Sequence, residues 1–385
     1  MRIAQFIDTE SLGGAETLLM ELSGTLRQQG HEVILYHFGS PHLHEFAEQN
    51  GFCERTLPGY KHYKSLYTLP AFTRLLRCQL KADGINVLHS HLLGPIVGGT
   101  LATAGTRINH VGTLHDAYTI EERPSRIRLL QLAAIGGTQL VCVGETLERF
   151  YRARGWFPRR RLSVVRNGVS RLQPLDKQAR AGVRAAFGFS SEAVVIVCVG
   201  RLEALKRQHL LIELLPELRR RTGADCRLLL VGEGEQRRVL ERNMTEQGVS
   251  SFVTLTGNRH DVPTLLGASD IFVLPSSTEG LSRSVLEAMS VGLPIVATDV
   301  GSNRDLLGPN ERGLLVPADD SKGLLNALER LVNDEALRLS VRRNAATLVA
   351  TCYRQETMVA SYIHMYERGT LDGLHDGGAV LRQPM

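Results

Sequence analysis

Short apolar runs, each followed by a turn and then by a stretch with helical spacing, recur along almost the whole of this 385-residue chain. No other feature constrains the fold as strongly. Strands separated by helices pair in parallel, and a parallel sheet needs helices on both faces. Residues 2–8 form the first run. Leu18, Leu19, Leu22 and Leu26 then share one face of a helix expected over 15–29, which Gly30 ends before a second strand at 33–38. Further strands are expected at 86–90, 110–113, 140–143 and 162–165. From 170 to about 191 the text turns polar around one short helix. The alternation restarts at 193–199, an apolar run of the kind a sheet buried on both faces requires. It continues at 227–231, 252–255, 271–274, 294–298 and 313–316, with helices at 321–333, 335–352 and 355–367.

Two doubly wound units are the reading, with a cleft between them. The expected division is 1–172, 173–354, a C-terminal helix at 355–368 crossing back to the first unit, and a loose tail at 369–385. The length suits two domains. No apolar run reaches the roughly 20 residues of a membrane-spanning helix, and the start lacks a signal peptide's apolar stretch, so a cytoplasmic chain is expected.

The formal charge of +5 is unevenly spread. Residues 1–172 hold 20 Lys and Arg against 14 Asp and Glu, and the remainder holds 25 against 26. The basic excess sits in the first half, in clusters at 123–128 and 152–161, the second containing the only tryptophan, Trp156. An edge resting on an anionic inner-membrane surface or on a polyanionic acceptor is one reading, and an ordinary solvated arginine face is the other. Nucleic acid is not expected, since no nucleic-acid module is present. The six cysteines at 53, 78, 142, 198, 226 and 352 show no Cys-x-x-Cys spacing, and Cys142 and Cys198 read as core side chains.

Two segments carry the chemistry. Pro275-Ser-Ser-Thr-Glu279-Gly280-Leu281-Ser282-Arg-Ser-Val-Leu-Glu287-Ala-Met follows an apolar strand, at the end where open α/β sheets place ligands. Leu281, Val285, Ala288 and Met289 mark a buried helix face, with Glu287 expected about two turns inside. Backbone N–H groups at a helix start meet phosphate or hydroxyl oxygens, and a carboxylate accepts from two sugar hydroxyls. The second segment, Gly200-Arg201-Leu-Glu-Ala-Leu-Lys206, also follows a strand. Arg201 can fork onto phosphate oxygens and Lys206 adds a point charge. A departing diphosphate would find both cations there.

Other motifs read more plainly. Gly232-Glu-Gly234 lacks the third glycine of a dinucleotide fingerprint, with Arg237 in its place, and no P-loop is present. His89-Ser-His91 reads as structural or acceptor-lining histidines, and no metal site is expected. Asp320 or Ser321 is expected to cap a helix. Tyr60-Lys-His-Tyr-Lys64 reads as an exposed loop or an acceptor contact.

Together with Gly257-Asn-Arg259-His-Asp-Val-Pro-Thr-Leu-Leu, with Gly292-Leu-Pro-Ile-Val-Ala-Thr-Asp, with Gly13-Gly14-Ala-Glu16 and with Gly112-Thr-Leu-His115-Asp116, these segments resemble the retaining glycosyltransferases of family 4. The resemblance runs in order along nearly the whole chain. It implies the GT-B fold, two Rossmann-like domains facing across a cleft. It also implies a donor that is a UDP- or GDP-linked sugar, with no cofactor besides, and a glycan or lipid-linked glycan acceptor in surface polysaccharide synthesis. By resemblance, Arg201 and Lys206 hold the pyrophosphate and Glu287 the ribose. Glu279 and the backbone of Gly280, Leu281 and Ser282 hold the donor sugar, and Arg259 borders the base. Gly14 approaches the phosphate from the first domain, and His115 meets the transferred sugar. One departure stands out: relatives commonly carry glycine after the clamp lysine, where this chain has Arg207. A nucleotide-sugar epimerase of the same fold and a catalytically silent nucleotide-sugar-binding protein are the alternative functions.

Overall fold

The computed structural model describes residues 1–9, 13–58, 67–170, 172 and 175–369. The chain divides into two compact units, Met1–Asn167 with Gln355–Met385, and Gly168–Arg354. Each is built on one parallel sheet, so the α/β alternation read from the sequence stands.

In the first unit the strands are β1 (Arg2–Phe6), β2 (Glu32–His37), β3 (Cys53–Thr56), β4 (Val87–His91), β5 (Asn109–Leu114), β6 (Gln139–Cys142) and β7 (Leu162–Val164), in the order β3-β2-β1-β4-β5-β6-β7. The sequence reading lacked β3. Its residues are Cys-Glu-Arg-Thr, it lies at the sheet edge and it is only partly buried, so no apolar run announces it. The helix Gly14–Gln28 buries Leu18, Leu19, Leu22 and Leu26 against the sheet. The helix Gln355–Arg368 belongs to this unit as well. Met358, Val359, Tyr362, Met365 and Tyr366 join the core formed by Ile3, Leu22 and Val87, and Asn109 Nδ2 donates to the carbonyls of Met365 and Tyr366 at 3.1 and 2.9 Å.

In the second unit, β8 (Val194–Val199), β9 (Cys226–Val231), β10 (Val253–Leu255), β11 (Ile271–Leu274), β12 (Ile295–Thr298) and β13 (Leu314–Val316) lie in the order β10-β9-β8-β11-β12-β13. β8 is central, with Val197 opposite Leu229 on one side and Phe272 on the other. Its run of valine and isoleucine suits a strand covered on both faces. From β8 the chain winds to β9 and β10, and from β11 it winds the other way, so the strand order reverses between β8 and β11. Such a reversal opens a crevice at the carboxyl ends of the two strands.

Candidate functional site

The two chemically rich segments are the loops that leave β8 and β11, one on each side of that reversal. They are fastened to one another. Ser277 donates from its backbone N–H to the Leu205 carbonyl at 2.8 Å and from its hydroxyl at 3.2 Å. Lys206 Nζ stands 2.6 Å from Glu279 Oε1, and the Ser276 hydroxyl donates to the same oxygen at 2.6 Å. The Glu279 side chain is 8% exposed and that of Lys206 22%. A carboxylate so enclosed needs this pairing, since water is not there to solvate it. Among the described residues no group hydrogen-bonds to Glu279 Oε2, which leaves it to a ligand hydroxyl.

The β8 loop is held from beneath by the loop after β9. A Cβ on Gly232 would stand 2.1 Å from the Gly200 carbonyl oxygen, and one on Gly234 would stand 2.4 Å from that of Leu202. Only glycine lets the two backbones approach this closely. Leu202 N–H donates to the Glu233 carbonyl and Gln236 N–H to the Leu202 carbonyl, each at 2.9 Å. The segment 232–234 is thus a support for the Arg201–Lys206 loop, a role its incomplete fingerprint did not suggest. Gln208, buried, adds a hydrogen bond to the Arg201 carbonyl at 2.9 Å. Arg201 itself pairs with Glu203 at 2.8 Å.

Arg207 accounts for the departure from the family pattern. It adopts the left-handed conformation, φ 53° and ψ 32°, that ends the short turn Ala204–Lys206. Glycine is favoured there because a Cβ adds strain. The Arg207 guanidinium is anchored instead on the Ala318 carbonyl at 2.6 Å and on Asp319 at 3.3 Å. Lys206 reaches Glu279 all the same.

On the β11 side, the helix Arg283–Ser290 buries Val285, Leu286, Ala288 and Met289. Leu281 lies just ahead of it, and Glu287 sits little more than one turn inside, not two, because the helix starts later than its apolar pattern suggested. Gly301 lies so near the preceding loop that a Cβ would meet the Glu279 carbonyl at 2.2 Å, and Ser302 N–H donates to the Gly280 carbonyl at 2.9 Å. Among the described residues, the backbone N–H groups of Gly280, Leu281 and Ser282 meet no protein acceptor. They precede a helix N-terminus, where an anion or a hydroxyl oxygen is favoured. Glu287 is paired with Arg283 at 2.8 Å.

The remaining candidate of this unit, Arg259, lies in the loop after β10. It forms a two-point ion pair with Asp261, both contacts 2.7 Å, and is exposed. Its loop joins the others through Gly232 N–H, which donates to the Gly257 carbonyl at 3.0 Å. Asp320 caps the helix Ser321–Asn333 by accepting from Gly323 N–H at 2.7 Å.

In the first unit, Gly13 precedes the helix Gly14–Gln28 in extended conformation and Gly14 opens it, exposed. His115 follows β5 and is half-buried. His91 Nδ1 stands 3.0 Å from His115 Nε2, and His91 Nε2 stands 2.8 Å from Gln5 Oε1. His89 meets the Tyr366 hydroxyl at 2.6 Å and the Thr113 hydroxyl at 2.7 Å. Every ring nitrogen of His89 and His91 therefore has a protein partner. Desolvation holds His89 and His91 well below the ordinary histidine range and lowers His115 to about 4. Gln5 carries no signal in the sequence, since its contact with His91 depends on β1 and β4 being neighbours. Tyr60 to Lys64, and the tail from 370 on, lie outside the described residues.

Two family models match the chain: Glycosyl transferases group 1 over residues 180–348 and Glycosyltransferase Family 4 over residues 12–171. Alpha-D-kanosaminyltransferase of Streptomyces kanamyceticus is 35% identical over 181 residues, 46% of this chain and 46% of that one, so the chain spans about half the length of this relative. UDP-Gal:alpha-D-GlcNAc-diphosphoundecaprenol alpha-1,3-galactosyltransferase of Escherichia coli is 27% identical, over 68% of this chain and 70% of its own. The structure of Anabaena HepE in complex with UDP and glucose matches with a TM-score of 0.83 at 21% identity, over 95% of this chain and 99% of that one, a likeness of fold.

Proposed function

The chain belongs to the family 4, group 1 glycosyltransferases of GT-B fold, and on that premise we propose that it moves a sugar, with retention, from a UDP- or GDP-linked donor to a glycan or lipid-linked glycan acceptor. The observation that carries the reading is the meeting of Lys206 and Glu279 at the sheet's reversal point, 2.6 Å apart, beside three unpartnered backbone N–H groups. Cations for a diphosphate and acceptors for sugar hydroxyls are thereby gathered on two adjoining loops.

Arg201 and Lys206 bind the pyrophosphate and stabilise the charge that grows on it as the bond to the anomeric carbon breaks. Glu279 and the N–H groups of Gly280, Leu281 and Ser282 hold the donor sugar, and Glu287 the ribose. Arg259 is assigned to the base, Gly14 to the phosphate and His115 to the transferred sugar. The acceptor oxygen bonds to the anomeric carbon on the face the phosphate leaves, and the acceptor proton passes to the departing phosphate oxygen. The positive charge in this scheme comes from side chains and needs no metal ion.

Two relatives support the donor and acceptor classes, HepE by its bound UDP and the galactosyltransferase by its lipid-diphosphate acceptor. With that acceptor class we place the reaction in surface polysaccharide synthesis, at the cytoplasmic face of a membrane. Thermal denaturation with UDP and GDP tests the reading: the cognate diphosphate raises the midpoint of the wild type and raises that of Lys206→Ala far less. A midpoint that neither nucleotide moves would overturn it.

A further inference from the structure

The helix Ile127–Ile135 turns two different apolar faces outward and inward. Ile127, Leu130, Ala133 and Ala134 are buried in the first unit. Arg128, Leu129, Leu132 and Ile135 lie on the opposite face at helical spacing, and Leu132 and Ile135 are 63% and 64% exposed. Trp156, 68% exposed, is tied to this helix through its backbone, whose carbonyl accepts from Gln131 Nε2 at 3.0 Å. Arg161 closes the far end of the helix by donating to the Gly137 carbonyl at 2.7 Å. Three large exposed aliphatic side chains on one helix face, with an exposed tryptophan in the segment bonded to that helix, exceed the scatter of single apolar residues that any surface carries.

The charge around this face is predominantly positive. Residues 123–161 contain nine arginines and two glutamates, an excess larger than the +5 of the entire chain. Both glutamates are already engaged, Glu145 with Arg166 at 2.5 Å and Glu148 with Arg152 at 2.9 Å. Among the described residues, Arg123, Arg128 and Arg159 meet no carboxylate. A second copy docking by two-fold symmetry would set these arginines against themselves. A soluble polyanion would leave Leu132 and Ile135 in water. An anionic bilayer satisfies both sets of groups, with leucine, isoleucine and tryptophan at the acyl boundary and guanidinium groups among the phosphates.

We propose that the outer face of the helix Ile127–Ile135, with Trp156, docks the first unit on an anionic lipid bilayer. This deepens the proposed use of a lipid-linked acceptor by naming the surface that brings the enzyme to it.

The single tryptophan is its own reporter. Added to phosphatidylglycerol–phosphatidylcholine vesicles, the full chain is expected to co-sediment and its Trp156 emission to shift to the blue. Leu132→Glu with Ile135→Glu lowers vesicle affinity at least about tenfold, and Arg128→Ala lowers it about fivefold. Circular dichroism is the control that both variants are folded. No co-sedimentation, or binding that leaves Trp156 emission unchanged and survives Leu132→Glu with Ile135→Glu, overturns the assignment. So does a lipid-free dimer that the same double variant disperses. Nucleotide binding is a separate readout: its absence alongside intact vesicle binding would sink the donor reading and leave this one standing.

Discussion

His91 Nδ1 lies 3.0 Å from His115 Nε2, and this contact fixes which nitrogen of His115 can donate. Both rings are held neutral by desolvation. With Gln5 Oε1 accepting from His91 Nε2, the Nδ1 of His91 must accept, so the His115 proton sits on Nε2 and its Nδ1 is left as an acceptor. His91 is thus a positioning residue for His115. His91→Phe removes that acceptor, and turnover is expected to fall about tenfold while the donor KM stays nearly constant. His91→Phe in a His115→Ala background should add little. A wild-type turnover number in His91→Phe would end this account.

The Lys206–Glu279 pair predicts a coupled loss. Each partner is enclosed enough that removing one leaves the other poorly solvated. Glu279→Gln is expected to lower kcat/KM about a hundredfold or more, and Lys206→Ala similarly, whereas the double variant should fall well short of the product of the two. A double-mutant cycle on transfer rate measures the coupling. Strict additivity would mean that the two side chains act on separate parts of the donor.

Much of this was legible in the sequence, and for a physical reason. Residues such as Glu279 and Lys206 sit at the ends of apolar strands, so strand pattern and motif locate them together. Buried strands were found because β8 and β11 are apolar throughout. The edge strand β3 was missed because Cys-Glu-Arg-Thr carries no such pattern. What depends on distant segments touching was also missed. Gly232 and Gly234 read as a failed fingerprint until their backbone is seen against Gly200 and Leu202, and Gln5 is an unremarked polar residue in an apolar run until His91 is placed opposite it.

Those two glycines give a steric prediction. Gly234 does not have a positive φ, so alanine there meets only crowding, with its Cβ 2.4 Å from the Leu202 carbonyl oxygen. Backbone cannot rotate out of the way as a side chain can. Gly234→Ala should lower stability by about 1–3 kcal/mol and shift the loop that carries Arg201 and Lys206, so donor KM rises. Urea denaturation and donor kinetics check both parts, and an unperturbed KM would detach the β9 loop from the site.

Arg207 gives a prediction of the opposite kind. Its left-handed backbone costs on the order of 1 kcal/mol for a residue with a Cβ, and its side chain recovers some of this through the Ala318 carbonyl. Arg207→Gly removes the strain and the anchor together, so stability should change by less than about 1 kcal/mol and transfer should persist. Arg207→Val keeps the strain, loses the anchor and adds a β-branch. It should be clearly less stable than either, as thermal midpoints would show.

Four buried or half-buried histidines of the first unit set the acid limit of stability. Desolvation lowers His110 to about 3 and His115 to about 4, and holds His89 and His91 well below their ordinary range. In the unfolded chain each imidazole takes a proton near pH 6.5. Between that pH and the native values, the unfolded state binds protons that the folded state refuses, so stability is full above about 6.5 and declines as the pH falls below it. The decline is on the order of 1 kcal/mol per pH unit for each fully buried ring. His44 is shifted the other way, raised by Glu54, but it is exposed and its opposing effect is screened. Asp83, pulled down to about 2 chiefly by Arg55 against its burial, stays ionised across the whole window and leaves the trend unaltered. The thermal midpoint should therefore drop steadily from about pH 7 to about pH 5. His110→Gln, which meets Ser90 and Thr138 without a titrating group, should make the drop shallower. A midpoint that is flat or rises on acidification would show that these rings accept protons in the folded state.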